Sequence, residues 1–304
     1  MRAPAVRFMV ILVAAGAFIL SSSAAYGQLG GVLGKVKKTA DDAKKVVEVG
    51  QKLRSGFADL TEEEEYYIGR SVAALILSKY PPYQNAALNQ YVNLVGNAVA
   101  AYSDRPEIYA GYHFQVLDTE EVNALAAPGG LIFVSKGLLR RCQDEEMLGL
   151  ILAHEIGHVT AKHGLQAIKK SRLTEVFTSL GMEAAQRFGP QELAQLTTMF
   201  EGVLSDIVEQ LVERGYSRAS ENEADNLGVK YGAQTGFDPN GIVRFLETMV
   251  GDKSAVSGKG WFKTHPTPEQ RLANVKKQIA SLSIPPGIQE VRTKRFQQAF
   301  SGLK

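Results

Sequence analysis

Cysteine is nearly absent from this chain, which has one cysteine among its 304 residues. A single thiol cannot form an intramolecular disulfide, so disulfide-stapled folds are excluded and the fold needs a hydrophobic core of ordinary size. The cysteine, Cys142, follows Arg140 and Arg141, and nearby cations can activate a thiol. No histidine and acid arrangement surrounds Cys142 in the sequence, so we expect it to be structural.

The chain also lacks an excess of charge of either sign. Its 34 Lys and Arg and 32 Asp and Glu give a formal net charge of +2. Residues 1–27 contain two arginines and no acid, so without them 34 − 2 = 32 bases balance 32 acids. Nucleic-acid binding relies on surplus basic side chains that neutralise phosphates. We therefore expect no nucleic-acid partner.

Long apolar runs are scarce as well. The run at residues 8–20 is shorter than the roughly 20 residues that span a bilayer. Arg2 and Arg7 precede it and small residues follow it, which is typical of a secretory signal peptide. We expect residues 1–27 to be a cleaved signal peptide and the mature protein to be exported, into the periplasm. The alternative is an uncleaved anchor that leaves the protein facing the periplasm.

Residues 28–57 form an N-terminal arm with valines and charges at helical spacing. The arm could touch anionic lipid as a peripheral membrane contact, but Lys alternates evenly with Asp and Glu, which favours a solvated helix laid on the domain. We found no repeat period and no proline-rich linker after it. The sequence therefore predicts one domain at residues 58–283 and a short basic tail at 284–304.

The most informative stretch is residues 150–163, LILAHEIGHVTAKH. His154 and His158 are four residues apart in a run of helix formers, so both imidazoles can face one metal ion from one side of a helix. Glu155 would lie beside the ion, where its carboxylate can take a proton from water. The chain has five histidines, and the pattern arises by chance in on the order of one such chain in a hundred.

A zinc ion needs a third protein ligand. Glu221 and Asp225 share a helix face in YSRASENEADNLG, at residues 216–228. Glu221 would complete a His2Glu site with an open fourth position, and Asp225 could orient a ligand histidine. Taken alone, this acidic pair is more typical of a solvated helix. Together with the upstream histidines it indicates a zinc site.

These motifs carry a family resemblance. HEIGH followed by SRxxExEAD resembles the HtpX, BepA and CAAX prenyl protease family of zinc metallopeptidases, and so do the stretches Asn123–Leu138 and Thr264–Leu272. The resemblance covers roughly residues 60–279. It implies one Zn²⁺ per chain and an α+β, predominantly helical, zincin-like core.

The resemblance also implies a small sheet whose edge strand flanks the zinc cleft. Strand-forming residues occur at 112–117, 123–127 and 131–135. In similar proteases the second of these is an exposed edge, to which an extended peptide can add through main-chain hydrogen bonds. We therefore expect a substrate-binding edge, with a structural hairpin as the alternative. Its residues are Asn123, Ala124, Leu125 and Ala126.

By the same resemblance, His265 and Arg271 lie near the metal. They could stabilise the oxyanion or occupy the open zinc position in a latent enzyme; the alternative for His265 is a His-Pro turn on the surface. The glycine- and serine-containing stretch 252–260 precedes them and favours latency. His163 falls on a different helix face from His158, and we expect it to support the site or the structure.

Several helices follow from apolar periodicity and capping residues. The predicted helices lie at residues 60–78, 85–101, most of 166–215, from 238 to about 251, and from 268. Residues 166–215 suit a helical hairpin packed on the core, or else a lid or dimer surface over the cleft.

The sequence therefore predicts a zinc endopeptidase that hydrolyses unfolded or misassembled cell-envelope proteins in quality control. Its partners would be those unfolded or misfolded substrates, and Glu155 would be the general base. The alternative is a chaperone-like assembly factor with latent protease activity. A purely structural zinc site is disfavoured, because Glu155 is present and only three ligands are firm.

Overall fold

The computed structural model describes residues 61–166, 208–251, 261–265, 268–282 and 289–303. These residues belong to one compact unit, formed by residues 57–169 and 204–304. The predicted signal peptide, the arm, the stretch 252–260 and most of the helical region 166–215 lie outside the described residues. Among the described helices, none combines the length and hydropathy that a bilayer span requires.

Within the described ranges, the secondary structure is mostly helical with one small sheet, which confirms the predicted α+β class. The helices are α1 (Glu62–Lys79), α2 (Ala86–Ala100), α3 (Lys136–Leu139), α4 (Glu145–Thr160), α5 (His163–Gln166), α6 (Arg218–Gln234), α7 (Asn240–Gly251), α8 (Trp261–Thr264), α9 (Pro268–Ile279) and α10 (Gln289–Phe300), with a π-helix at Gln210–Arg214. The strands are β1 (His113–Leu117), β2 (Ala124–Ala127) and β3 (Leu131–Ser135).

The sheet has the order β1-β3-β2, with β1 parallel and β2 antiparallel to β3. A short 3-10 turn, Pro128–Gly130, joins β2 to β3. Gly129 has a φ of 71°, and a Cβ added there would lie 2.6 Å from the Tyr66 backbone of α1. Only glycine fits that conformation and that approach.

Strand β2 is one of the two edge strands of this sheet, as predicted, but it is not exposed. Its four residues are 0 to 3 % accessible, and α1, α4 and the π-helix pack against the strand. The strand is therefore buried in this conformation, and the addition of a peptide to this edge stays a prediction. Burial by elements that are distant in the chain cannot be read from the sequence pattern of the strand itself.

Helix α4, which carries the HEIGH motif, is the central element of the fold. Asp144 caps its N-terminus by accepting a hydrogen bond from the Met147 N–H at 2.8 Å. Residues from Glu145 to Val159 are all buried, so the helix is enclosed on every side. Cys142, just before it, is buried and belongs to the hydrophobic core, in agreement with a structural role.

Helix α6 packs closely against α4 because small residues face each other. A Cβ added to Gly157 would lie 2.9 Å from the Ala224 carbonyl oxygen, and one added to Gly228 would lie 2.9 Å from the His154 backbone nitrogen. These distances leave no room for a side chain. The glycines therefore bring the acids of α6 next to the histidines of α4.

The C-terminal residues differ from the predicted tail. Residues 289–300 form helix α10, and Phe296, Phe300 and Leu303 join the hydrophobic core. Arg292 forms an ion pair with Glu146 of α4 at 3.1 Å. The helix therefore packs on the rest of the unit, and the structure does not mark a domain end at residue 283.

Candidate metal centre

Four buried side chains converge between α4, α6 and the residue that follows α8. They are His154 and His158 of α4, Glu221 of α6 and His265. Each offers one ligand atom, and these atoms lie within 4.8 Å of one another. The structure thus brings together the three predicted ligands and adds His265 to them.

The spacing of these atoms fits a tetrahedral ion. Bonds of about 2.0 to 2.1 Å place tetrahedral ligand atoms about 3.3 Å apart. The Nε2 atom of His154 lies 3.1 Å from Nε2 of His158, 3.3 Å from Nδ1 of His265 and 3.6 Å from a Glu221 oxygen. Nε2 of His158 lies 3.5 Å from the other Glu221 oxygen. Nitrogen and carboxylate donors at these distances suit zinc.

The two histidines of α4 are neutral at pH 7. Burial, followed by the positive charge of Arg271, lowers the pKa of His154 to about 4. Burial and the neighbouring imidazoles hold the pKa of His158 well below its usual value. A neutral imidazole keeps a lone pair for a metal ion, so the fold prepares both rings for coordination.

Glu221 and His265 form a buried pair. Nδ1 of His265 lies 3.0 Å from both oxygens of the Glu221 carboxylate. Burial opposes charge on either group, but each raises the stability of the other's charged form, so the pKa of Glu221 is lowered and that of His265 is raised. Trp261 stacks on the His265 ring, with centroids 4.1 Å apart. His265 is therefore held at the fourth corner of the cluster.

Glu155 is the acid beside the cluster. Both of its carboxylate oxygens are buried and have no hydrogen-bond partner among the described residues. Burial raises the pKa of Glu155 to about 7. One oxygen lies 3.7 Å from Nε2 of His265. A carboxylate with free oxygens and a pKa near neutrality can both accept and return a proton.

Asp225 and Arg271 form a second layer behind His154. The Asp225 carboxylate lies 2.9 Å from Nδ1 of His154, on the far side of the ring from the cluster. Arg271 donates two hydrogen bonds to Asp225, at 2.7 and 2.8 Å, and lies 3.2 Å from Glu221. Burial opposes ionisation of Asp225, yet Arg271 holds its pKa well below the usual range. The pair therefore fixes the ring of His154.

The sequence model of Peptidase family M48 matches residues 86–279, which contain all of these side chains. The chain belongs to this family. The match confirms the resemblance drawn from the motifs, and M48 peptidases depend on a metal ion, for which this cluster offers the donor set.

Several curated relatives share the M48 domain. The chain is 27% identical to the beta-barrel assembly-enhancing protease of Escherichia coli (strain K12), over 78% of this chain and 47% of that protein. It is 26% identical to the mitochondrial metalloendopeptidase OMA1 of Schizosaccharomyces pombe, over 76% of this chain and 66% of that one. It is 29% identical to the metalloprotease YcaL of Escherichia coli (strain K12), over 56% of this chain and 63% of that protein. The chain spans about half the length of the assembly-enhancing proteases.

The predicted substrate edge of this M48 domain touches the segment that carries His265. The Trp261 N–H donates to the Val122 carbonyl at 2.5 Å, and the Thr264 hydroxyl donates to the Asn123 side chain at 3.1 Å. The beginning of β2 therefore lies next to the cluster. Ala124, Leu125 and Ala126 continue along the buried edge.

The sequence did not predict the roles of two aromatic residues. Tyr216 stacks on His158, with centroids 4.2 Å apart and planes 19° apart, and its buried hydroxyl has no hydrogen-bond partner among the described residues. Trp261 covers His265 in the same way. No spacing rule predicts the position of either ring, because both residues lie in segments outside the helix that carries the motif. His163, which was expected to support the site, does contact His158, at 2.9 Å between Nδ1 atoms.

Proposed function

We propose that this chain is a zinc-dependent endopeptidase of the M48 family. The observation that supports this most directly is Glu155, a buried carboxylate with free oxygens beside a cluster of three histidines and one acid. A structural zinc site has no use for such a group, whereas peptide hydrolysis requires a base there. The relatives named as proteases support the same activity.

In this proposal His154, His158 and Glu221 hold the zinc ion. Zinc, when bound, supplies the Lewis acid that polarises a scissile carbonyl and makes water nucleophilic near neutral pH. Glu155 accepts the proton that water loses and returns it to the leaving amine. Asp225 and Arg271 keep His154 in place through their hydrogen bonds.

In this proposal, His265 keeps the resting protein inactive. Its Nδ1 occupies the fourth corner of the cluster, where a catalytic zinc site keeps an open position. Peptide cleavage then requires His265 to move away, together with the short helix α8 that covers Asn123. Such a device would limit hydrolysis in a compartment where proteins are still folding.

We propose unfolded or misassembled envelope proteins as the substrates. The support is the name of several relatives, beta-barrel assembly-enhancing protease, and the apolar run at residues 8–20, which is typical of export. The proposed mature protein is periplasmic, consists of the arm at 28–57 and the protease domain from 58, and receives a substrate strand along Asn123–Ala126. An assembly factor that holds the same substrates with little hydrolysis is the alternative, which the relatives named as proteases do not favour.

Cleavage of an unfolded protein tests the proposal. The purified full chain is incubated with an unfolded outer-membrane protein after treatment with a chelator, and again after zinc is restored. We expect cleavage only with zinc. Suppressed aggregation of the substrate without cleavage, with zinc bound, would favour the assembly factor and contradict the endopeptidase.

A further inference from the structure

A chain of hydrogen-bonding groups leads away from the metal cluster behind His158. Nε2 of His158 faces the cluster, 3.1 Å from Nε2 of His154. On the opposite side of its ring, Nδ1 lies 2.9 Å from Nδ1 of His163. The other nitrogen of His163, Nε2, lies 3.3 Å from a carboxylate oxygen of Glu223. Three groups are thus connected in series from the site to the protein surface, where Glu223 is 60% exposed.

Local backbone geometry brings His163 back to His158. Helix α4 ends at Thr160, and Lys162 adopts a φ of 56°, in the left-handed region that few residues other than glycine enter. This reversal starts the short helix α5 at His163. Tyr216 stacks on the His158 ring and lies 5.8 Å from His163, centroid to centroid. The relative positions of the two rings are therefore fixed by packing.

The chemistry of the three groups determines which one donates each hydrogen bond. An ionised carboxylate can only accept hydrogen bonds, so Nε2 of His163 must carry its proton toward Glu223. A neutral His163 then has its lone pair on Nδ1 and accepts a hydrogen bond from His158. His158 accordingly carries its proton on Nδ1, and its Nε2 lone pair faces the cluster.

We propose that Glu223 and His163 form a directional relay that fixes the tautomer of His158, so that its Nε2 lone pair is available to the metal ion. This inference rests on the proposed role of His158 as a ligand. It parallels the contact of Asp225 with Nδ1 of His154, but with one imidazole inserted between carboxylate and ligand. In both cases, groups that do not touch the ion position a histidine that does.

The direction of the relay makes a reversal experiment possible. Lysine can only donate, so Glu223→Lys presents a donor to Nε2 of His163 and favours the opposite order, with a proton on Nε2 of His158. Glutamine offers a carbonyl oxygen, so Glu223→Gln can still accept and preserves the original order. Glu269→Lys makes the same charge change at an exposed position of α9 and is the matched control. Circular dichroism verifies that each variant keeps its helix content.

The readout is the tautomer of His158 in the metal-free protein. Nitrogen-15 NMR of the ring nitrogens distinguishes the two tautomers, and five histidines make the spectrum tractable. At pH 8, above the ordinary histidine pKa of about 6.5, we expect the Nδ1–H form in the parent, in Glu223→Gln and in Glu269→Lys. We expect the Nε2–H form in Glu223→Lys, with zinc affinity lower by about 10-fold or more in a competition titration.

Two results would overturn the relay. One is an Nε2–H tautomer of His158 in the parent; the other is Glu223→Lys with the tautomer and zinc affinity of Glu269→Lys. If the tautomers follow the expectation while the zinc-loaded protein cleaves no peptide, the relay stands and the proposed protease function fails. If the protein cleaves but the tautomer does not respond to Glu223→Lys, the relay alone fails. A parent that binds no zinc overturns both.

Discussion

Each proposed ligand contacts a second group that is not itself a proposed ligand. Asp225 contacts His154, His163 contacts His158, and Arg271 lies 3.2 Å from Glu221. Such contacts reduce the freedom of a ring or carboxylate before an ion arrives. The cluster is therefore arranged to accept a metal ion with little rearrangement.

His265→Ala tests whether the fourth corner of the cluster is inhibitory. If His265 blocks the open position, its removal should raise basal cleavage of an unfolded substrate and weaken zinc binding, because one donor is lost. Cleavage rate and zinc affinity are measured together. His113→Ala, at an exposed strand histidine, is the control.

A loss of activity in His265→Ala by about 10² to 10³ would instead make His265 an oxyanion donor and would contradict latency. An unchanged rate would contradict both roles.

Sequence could predict some of these residues and not others. His154, His158 and Glu155 lie on one helix, where a fixed period relates position to face. The placement of His265 depends on Trp261 and on contacts with Asn123, which join distant parts of the chain. Resemblance suggested that His265 lies near the metal, but its distance from Glu221 follows only from the folded structure.

At the scale of elements, the site depends on how closely α4 and α6 approach. Gly157 and Gly228 have no side chain to separate the helices, so Glu221 reaches the histidines of α4. A change of a few tenths of an ångström in the separation of the helices would disturb this contact, because packed interiors have little room to adjust.

Gly157→Ala should therefore lower stability although alanine is the better helix former. Its Cβ would lie 2.9 Å from the Ala224 carbonyl oxygen, and overpacking of this kind costs about 1 to 3 kcal/mol. Thermal unfolding followed by circular dichroism should show a Tm lower by roughly 2 to 10 °C. Gly251→Ala is the control, because no atom of the described residues lies within 4 Å of the Cβ it would add. Equal Tm values for the two variants would contradict this account of the helix contact.

The elements differed in how well sequence predicted them. Helix α2 has apolar residues on one side and a capping residue, Asn85, whose side chain accepts from the Leu88 N–H at 3.0 Å, so pattern and structure agree. Helix α10 is mostly polar, and its attachment depends on two phenylalanines and on Arg292. The contacts that attach this polar helix to distant parts of the chain produce no periodic pattern in its sequence.

At the scale of the whole molecule, a hydrophobic core within the described part of the chain connects the sheet, α2, α4, α7 and α10. Cys142 lies within it, and burial raises the pKa of its thiol far above the usual value. The folded state therefore disfavours the thiolate. Because the folded pKa is raised, this contribution to stability is present below the ordinary thiol pKa of about 8.5 and is lost as the pH rises above it.

Thiol labelling measures this effect. At pH 8.5 the native protein should react slowly with a thiol reagent, while the urea-unfolded chain should react at the rate of a free cysteine. Cys142→Ala gives the background. Equal rates for the native and unfolded protein would contradict a buried, structural thiol.

The central claim is that Glu155 acts as the base beside a metal ion that other residues hold. Glu155→Gln keeps the size of the side chain but cannot accept a proton, and it leaves His154, His158 and Glu221 intact. The decisive measurement is the zinc content of this variant together with its cleavage of an unfolded substrate. We predict one zinc ion per chain, as in the parent, and no detectable cleavage. A variant that still cleaves with zinc bound would contradict the claim.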